Sequence, residues 1–81
     1  MNTQRAREVL FDALGDLAPE IDPAGLDPSD SLRDQADLDS VDFLELVSQL
    51  SAAIGADIPE DDYRQLDGVD SAVAYLAAKL H

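Results

Sequence analysis

Ser40 is the residue of this chain that is best placed for chemistry. It lies between an acidic residue, Asp39, and an apolar one, Val41, where an apolar-periodic run begins. A serine hydroxyl in such a position can act as a nucleophile, accept a covalent modification, or cap the helix that follows. Capping is the ordinary interpretation of an isolated Asp-Ser pair, because either residue stabilises a helix start by about 0.5–2 kcal/mol. The surroundings of Ser40 have to separate these three interpretations.

Catalysis by Ser40 finds little support elsewhere in the sequence. No Gly-x-Ser-x-Gly elbow surrounds it, and the single histidine, His81, is the last residue, where we expect a frayed side chain rather than a base. A calcium loop beginning at Asp37 fails, because Asp42 falls where glycine is needed and Ser48 where glutamate is needed. Because the chain has no cysteine, thiolate catalysis and cysteine zinc sites are excluded as well. We therefore predict neither an active site nor a metal site.

Charge and length limit the function further. Eighty-one residues are enough for one small domain, and the 46% hydrophobic content supports a packed core. Five basic against eighteen acidic residues give a formal net charge of −13, which repels nucleic acids and anionic lipid headgroups. The favoured partners of such a chain are basic protein surfaces. The alternative is that the negative net charge only increases the solubility of the protein.

The sequence predicts a cytoplasmic protein. No stretch approaches the roughly 20 apolar residues of a membrane span, and Arg5, Arg7 and Glu8 occupy the place where a signal peptide would need an apolar run. We expect a monomer that binds no nucleic acid and has no membrane span.

The elements that must position Ser40 are predicted to be helical. Apolar residues recur at helical spacing in three segments, and no alternating strand pattern competes with them. A fourth, short helix is predicted after Pro59, where three acidic residues suit a helix N-terminus. The predicted helices span residues 3–17, 40–54, 60–66 and 69–80. This is an all-α fold, a small irregular four-helix bundle with a long first loop and a short third helix.

The long first loop is predicted to be ordered. Its prolines and glycine rule out a long helix, but four apolar residues are spaced as anchors against the bundle: Ile21, Leu26, Leu32 and Leu38. Ser31 and Asp34 have the spacing of a capped single turn. Connections of this length are usually functional or disordered, and this one ends next to Ser40.

The helix predicted over residues 40–54 carries apolar residues on more than one side. Its core face is predicted to contain Phe43, Leu46, Val47, Leu50 and Ile54. Val41 and Leu44 fall outside that face, beside Asp42 and Glu45. Capping alone requires no such apolar patch next to a serine.

The segment from Asp37 to Val47, DLDSVDFLELV, resembles the attachment segment of acyl carrier proteins. The order of the predicted helices is similar to that family too, so the resemblance covers nearly the whole chain. It implies that Ser40 carries a 4'-phosphopantetheine arm derived from coenzyme A. The thiol of that arm would supply the nucleophile that a cysteine-free chain lacks, and the chain would be a carrier of thioester-bound acyl or aminoacyl groups rather than an enzyme.

The resemblance also implies a set of partners. In the family, the acidic and apolar surface of the helix after the serine docks on basic patches of the phosphopantetheinyl transferase, of an acyl- or aminoacyl-loading ligase and of client synthases. Carried over by position, that surface comprises Asp39, Val41, Asp42, Leu44 and Glu45. The cargo would belong to fatty-acid, polyketide or aminoacyl-transfer chemistry.

One alternative from a different class stays open on sequence alone. The chain could be an acidic helical interaction module in which Ser40 is only a helix N-cap, while Val41 and Leu44 contact one dedicated protein. Replacing Ser40 by Thr or Asp, which both cap helices, should then preserve function.

Overall fold

The computed structural model describes residues 2–80, which form helices and connecting segments without a strand. The predicted all-α fold is confirmed. Four α-helices and two 3₁₀ segments follow one another as α1 (Thr3–Leu17), a 3₁₀ turn (Pro23–Gly25), α2 (Leu32–Gln35), α3 (Ser40–Ile54), a 3₁₀ helix (Glu60–Leu66) and α4 (Val69–Lys79). Within residues 2–80, no helix has both the length and the apolar character needed to cross a bilayer.

The observed helix ends lie close to the predicted ones. The last helix ends at Lys79, one residue before the predicted end, because the backbone of Leu80 is extended (φ −86°, ψ 138°). Gly55 ends α3 in the left-handed conformation with φ 70°, which glycine adopts without steric cost. The short third helix is of the 3₁₀ type, so its turns are tighter than those of an α-helix.

The core lies where α1, α3 and α4 meet, and α1 contacts both of the other two helices. Its largest fully buried side chains are Val69 and seven leucines, namely Leu10, Leu14, Leu32, Leu46, Leu50, Leu66 and Leu76. Phe43 and Val47 are also buried and Ile54 is half-buried, so the predicted core face of the helix from residue 40 to 54 is confirmed.

Tyr75 is a core residue that the apolar pattern did not predict. Its ring is buried, and its hydroxyl donates a hydrogen bond of 2.7 Å to the Asp62 carboxylate. Burial, together with this hydrogen bond and the negative charge of Asp62, raises the pKa of Tyr75 to about 12. The bond fastens the 3₁₀ helix to α4 through a neutral phenol.

The long segment between α1 and α3 is ordered, as predicted. Leu32 and Leu38 are buried in the core, and Ile21 and Leu26 pack against it half-buried. Ser31 caps α2, with its hydroxyl oxygen accepting from the Asp34 N–H at 3.4 Å.

Backbone hydrogen bonds fasten the end of this segment to the region where α4 begins. The Leu32 N–H donates to the Asp67 carbonyl, and the Asp70 N–H donates to the Pro28 carbonyl at 3.1 Å. These bonds therefore fix the position at which α3 begins.

The anchoring role of this segment can be tested with two leucines. Leu32→Ala should lower the free energy of unfolding by about 2–5 kcal/mol, because the removed side chain is fully buried. Leu44→Ala removes the same atoms from a side chain that is 52% exposed, so its effect should stay within about 1 kcal/mol. Urea unfolding followed by circular dichroism measures both, and equal losses would show that the segment is not anchored by Leu32.

Candidate functional site

Asp39, and not Ser40, caps α3. The backbone of Asp39 is extended (φ −84°, ψ −176°), and its carboxylate accepts a hydrogen bond of 2.8 Å from the Asp42 N–H. The interpretation of Ser40 as the helix N-cap is therefore wrong. An N-cap residue has non-helical backbone angles, and Ser40 is already the first residue inside the helix.

The Ser40 side chain is exposed, and its hydroxyl forms no hydrogen bond with residues 2–80. It stands at the end of a helix where the first backbone N–H groups lack partners within the helix. The turn before it is fixed by Leu38, which is buried and donates its N–H to the Arg33 carbonyl at 2.9 Å. Asp37 makes this turn possible with a left-handed backbone (φ 54°), a conformation that aspartate tolerates better than most residues. The hydroxyl is thus held in place and chemically available.

Ser40 lies on the rim of an open groove of about 410 Å³. The residues that line the groove come from α2, α3, the 3₁₀ helix and the residue after it: Arg33, Ser40, Phe43, Leu44, Glu60, Tyr63, Arg64 and Asp67. Phe43 and Tyr63 pack edge to face, with ring centroids 5.8 Å apart and planes at 75°. The Arg33 guanidinium lies 5.1 Å from the centroid of the Phe43 ring. The groove therefore combines two aromatic rings with two arginines and two acidic residues.

The five residues predicted to face partners do lie together at the start of α3. Val41 and Leu44 are 74% and 52% exposed and are the large apolar side chains left open to solvent within residues 2–80. Glu45 shares their side of the helix, because residues three and four apart are neighbours on a helix surface. Asp39 is exposed and Asp42 is half-buried. We call these five residues the α3 patch.

Four groove residues were not predicted from the sequence, namely Arg33, Tyr63, Arg64 and Asp67. They lie in α2 and in or just after the 3₁₀ helix, and only the folded chain brings these two short elements next to Ser40. The one feature of the sequence that could have drawn attention to the two arginines is that basic residues are few in this acidic chain. The prediction for His81 falls outside the described residues.

Comparison with known proteins agrees with this geometry. The family model for the phosphopantetheine attachment site matches residues 8–76. The chain is 36% identical over 72 residues to an acyl carrier protein of Lactobacillus johnsonii, a match that covers 85% of this chain and 90% of that protein. It is 32% identical over 73 residues to an acyl carrier protein of Rubrobacter xylanophilus, covering 90% and 84%.

The chain belongs to the acyl carrier protein family. Members of this family are carriers and not enzymes, and their cofactor is a covalently attached 4'-phosphopantetheine. The residues at the start of α3 fit such a group, because an exposed serine hydroxyl without a hydrogen bond stands at a helix N-terminus. The helix dipole and the unpaired N–H groups favour a phosphodiester there. When bound, the cofactor supplies a thiol that forms thioesters.

Because Asp39 caps α3 and Ser40 does not, replacing each of them should affect stability differently. Asp39→Ala should lower the free energy of unfolding by about 0.5–2 kcal/mol, because it removes the cap of α3. Ser40→Ala should change it by no more than about 0.5 kcal/mol, because the exposed hydroxyl supports no other group. Urea unfolding of the two variants and the wild type measures this, and a larger loss in Ser40→Ala would mean that the serine has a structural role.

Proposed function

We propose that Ser40 carries the phosphopantetheine arm of this acyl carrier protein. The observation that supports this most directly is that Asp39 caps α3, which leaves the Ser40 hydroxyl exposed and without a hydrogen bond. In the loading reaction the Ser40 oxygen attacks the pantetheine-linked phosphorus of coenzyme A. The phosphoanhydride bond breaks, adenosine bisphosphate leaves, and the serine proton passes to a base of the transferase.

The loaded arm would carry acyl or aminoacyl groups as thioesters between biosynthetic enzymes in the cytoplasm. The partners are a phosphopantetheinyl transferase, a loading ligase and client synthases with basic docking surfaces. The α3 patch suits such partners, since it combines two exposed apolar side chains with acidic residues. Electrostatic steering of this kind speeds encounters without requiring tight binding, as a shuttle needs.

Loading by a transferase tests the attachment residue. The apo protein is incubated with coenzyme A and a broad-specificity phosphopantetheinyl transferase, and the intact mass is measured. The wild type should gain one phosphopantetheine, whereas Ser40→Ala and Ser40→Thr should gain none.

Ser48→Ala is the matched control for loading. It removes the hydroxyl of another exposed serine from the same helix and should leave loading unchanged. If several transferases added no arm to the wild type, or if Ser40→Ala were still loaded, the proposal would be overturned.

The docking role of the α3 patch makes a separate kinetic prediction. Glu45→Gln should lower kcat/KM for loading about 1.4- to fivefold, because an exposed charge pair contributes about 0.2–1 kcal/mol. The effect should shrink as salt is added, since exposed charges are screened. Glu8→Gln removes the same charge from α1 and should change kcat/KM little. Equal effects of the two variants would mean that only the net charge matters and that the α3 patch does not dock.

A further inference from the structure

The groove beside Ser40 gathers basic residues in a chain that has few of them. Of five basic residues against eighteen acidic ones, Arg33 and Arg64 both line this groove. Two acidic residues, Glu60 and Asp67, line it as well. Even so, neither arginine forms an ion pair within residues 2–80, where the ion pair present is Arg5–Glu8 at 3.7 Å. Two arginines that form no ion pair within residues 2–80 therefore line one open groove.

Arg33 is held in place and does not move freely in solvent. It belongs to α2, which is fixed by the Ser31 cap and by the fully buried Leu32. Arg33 is half-buried, and its guanidinium lies 5.1 Å from the centroid of the Phe43 ring, a cation–π contact. Phe43 in turn packs against Tyr63. The guanidinium is thus oriented before any ligand arrives, which lowers the entropy lost on binding.

We propose that Arg33 and Arg64 form a binding site for the phosphodiester of the arm on Ser40, and that this site holds the arm against Phe43 and Tyr63 between visits to partner enzymes. This inference rests on the proposed attachment at Ser40. The guanidinium group suits it, because its fork of N–H donors matches the oxygens of a phosphate in two parallel hydrogen bonds.

The covalent attachment of the arm to Ser40 favours its phosphodiester over other anions as the ligand of this site. Its phosphorus is bonded directly to the Ser40 oxygen, and Ser40 lines the same groove as both arginines. The anion is therefore present at the site at a high effective concentration, whereas the acidic surface of another protein would be repelled by a formal net charge of −13. The aromatic residues that line the groove, Phe43 and Tyr63, offer apolar surface to the chain of carbon atoms that follows the phosphate.

Nuclear magnetic resonance of the apo and holo proteins tests this site. Isotope-labelled protein is loaded with the arm, and loading is verified by intact mass. On loading, the side-chain Nε–Hε signals of Arg33 and Arg64 should shift and that of Arg7 should not. Nuclear Overhauser contacts should appear between the pantetheine methyl groups and the rings of Phe43 and Tyr63.

Charge-removing variants connect these signals to the arginines. In the holo forms of Arg33→Gln and Arg64→Gln, the contacts between the methyl groups and the rings should weaken or disappear. Arg7→Gln removes an equal charge from an exposed position of α1 and should leave them intact. Because Arg33 packs on Phe43, the apo spectrum of Arg33→Gln checks its fold. Arg64 is exposed, so Arg64→Gln tests the site even if Arg33→Gln disturbs the packing.

These experiments distinguish a failure of the proposed attachment at Ser40 from a failure of the phosphodiester site alone. If no arm is added to Ser40, the proposed function falls and this inference falls with it. If the arm is attached but the Arg33 and Arg64 signals do not shift, only the phosphodiester site is overturned. Shifts that appear only after the arm is loaded with a dicarboxylic acyl group would also overturn it, because the bound anion would then be the cargo carboxylate. Ring contacts that persist unchanged in a double Arg33→Gln, Arg64→Gln variant would show that the arginines do not hold the arm.

Discussion

The hydrogen bond from the Asp42 N–H to the Asp39 carboxylate fixes where α3 begins, and the rest of the site depends on that position. Because the cap precedes Ser40, the serine lies inside the first turn with its side chain exposed. If Ser40 were the cap, its oxygen would be committed to a backbone N–H two or three residues later. The same bond thus stabilises the helix and leaves a nucleophilic oxygen available at its positive end.

The cap can act in this way because the chain before it cannot slip. Leu32 and Leu38 are buried at the two ends of a short stretch that contains α2 and the turn at Asp37. Backbone hydrogen bonds at Leu32 and Asp70 tie the same region to the chain around the start of α4. These contacts also set Arg33 beside Ser40, so the ordering of the long loop and the make-up of the groove have a common origin.

The sequence predicted the fold well wherever apolar periodicity determines it. Most residues in the apolar stripes of α1, α3 and α4 are buried in the core with the anchors Leu32 and Leu38, and the others, such as Ile54, pack against it half-buried. Burial of apolar area dominates the folding of a small domain. The choice between Asp39 and Ser40 as cap was beyond the sequence, since both residue types cap helices equally well. The groove could not be predicted from the sequence either, because Arg33, Tyr63 and Arg64 meet Ser40 only through tertiary packing.

The most direct test of whether Ser40 carries the arm is to locate the modified residue in the wild-type protein. Holo protein is digested, and the peptide that bears phosphopantetheine is fragmented by tandem mass spectrometry. We expect the modification on Ser40 alone. Its presence on another serine, such as Ser31 or Ser48, with Ser40 unmodified would contradict the conclusion that the Asp39 cap displays Ser40 for attachment.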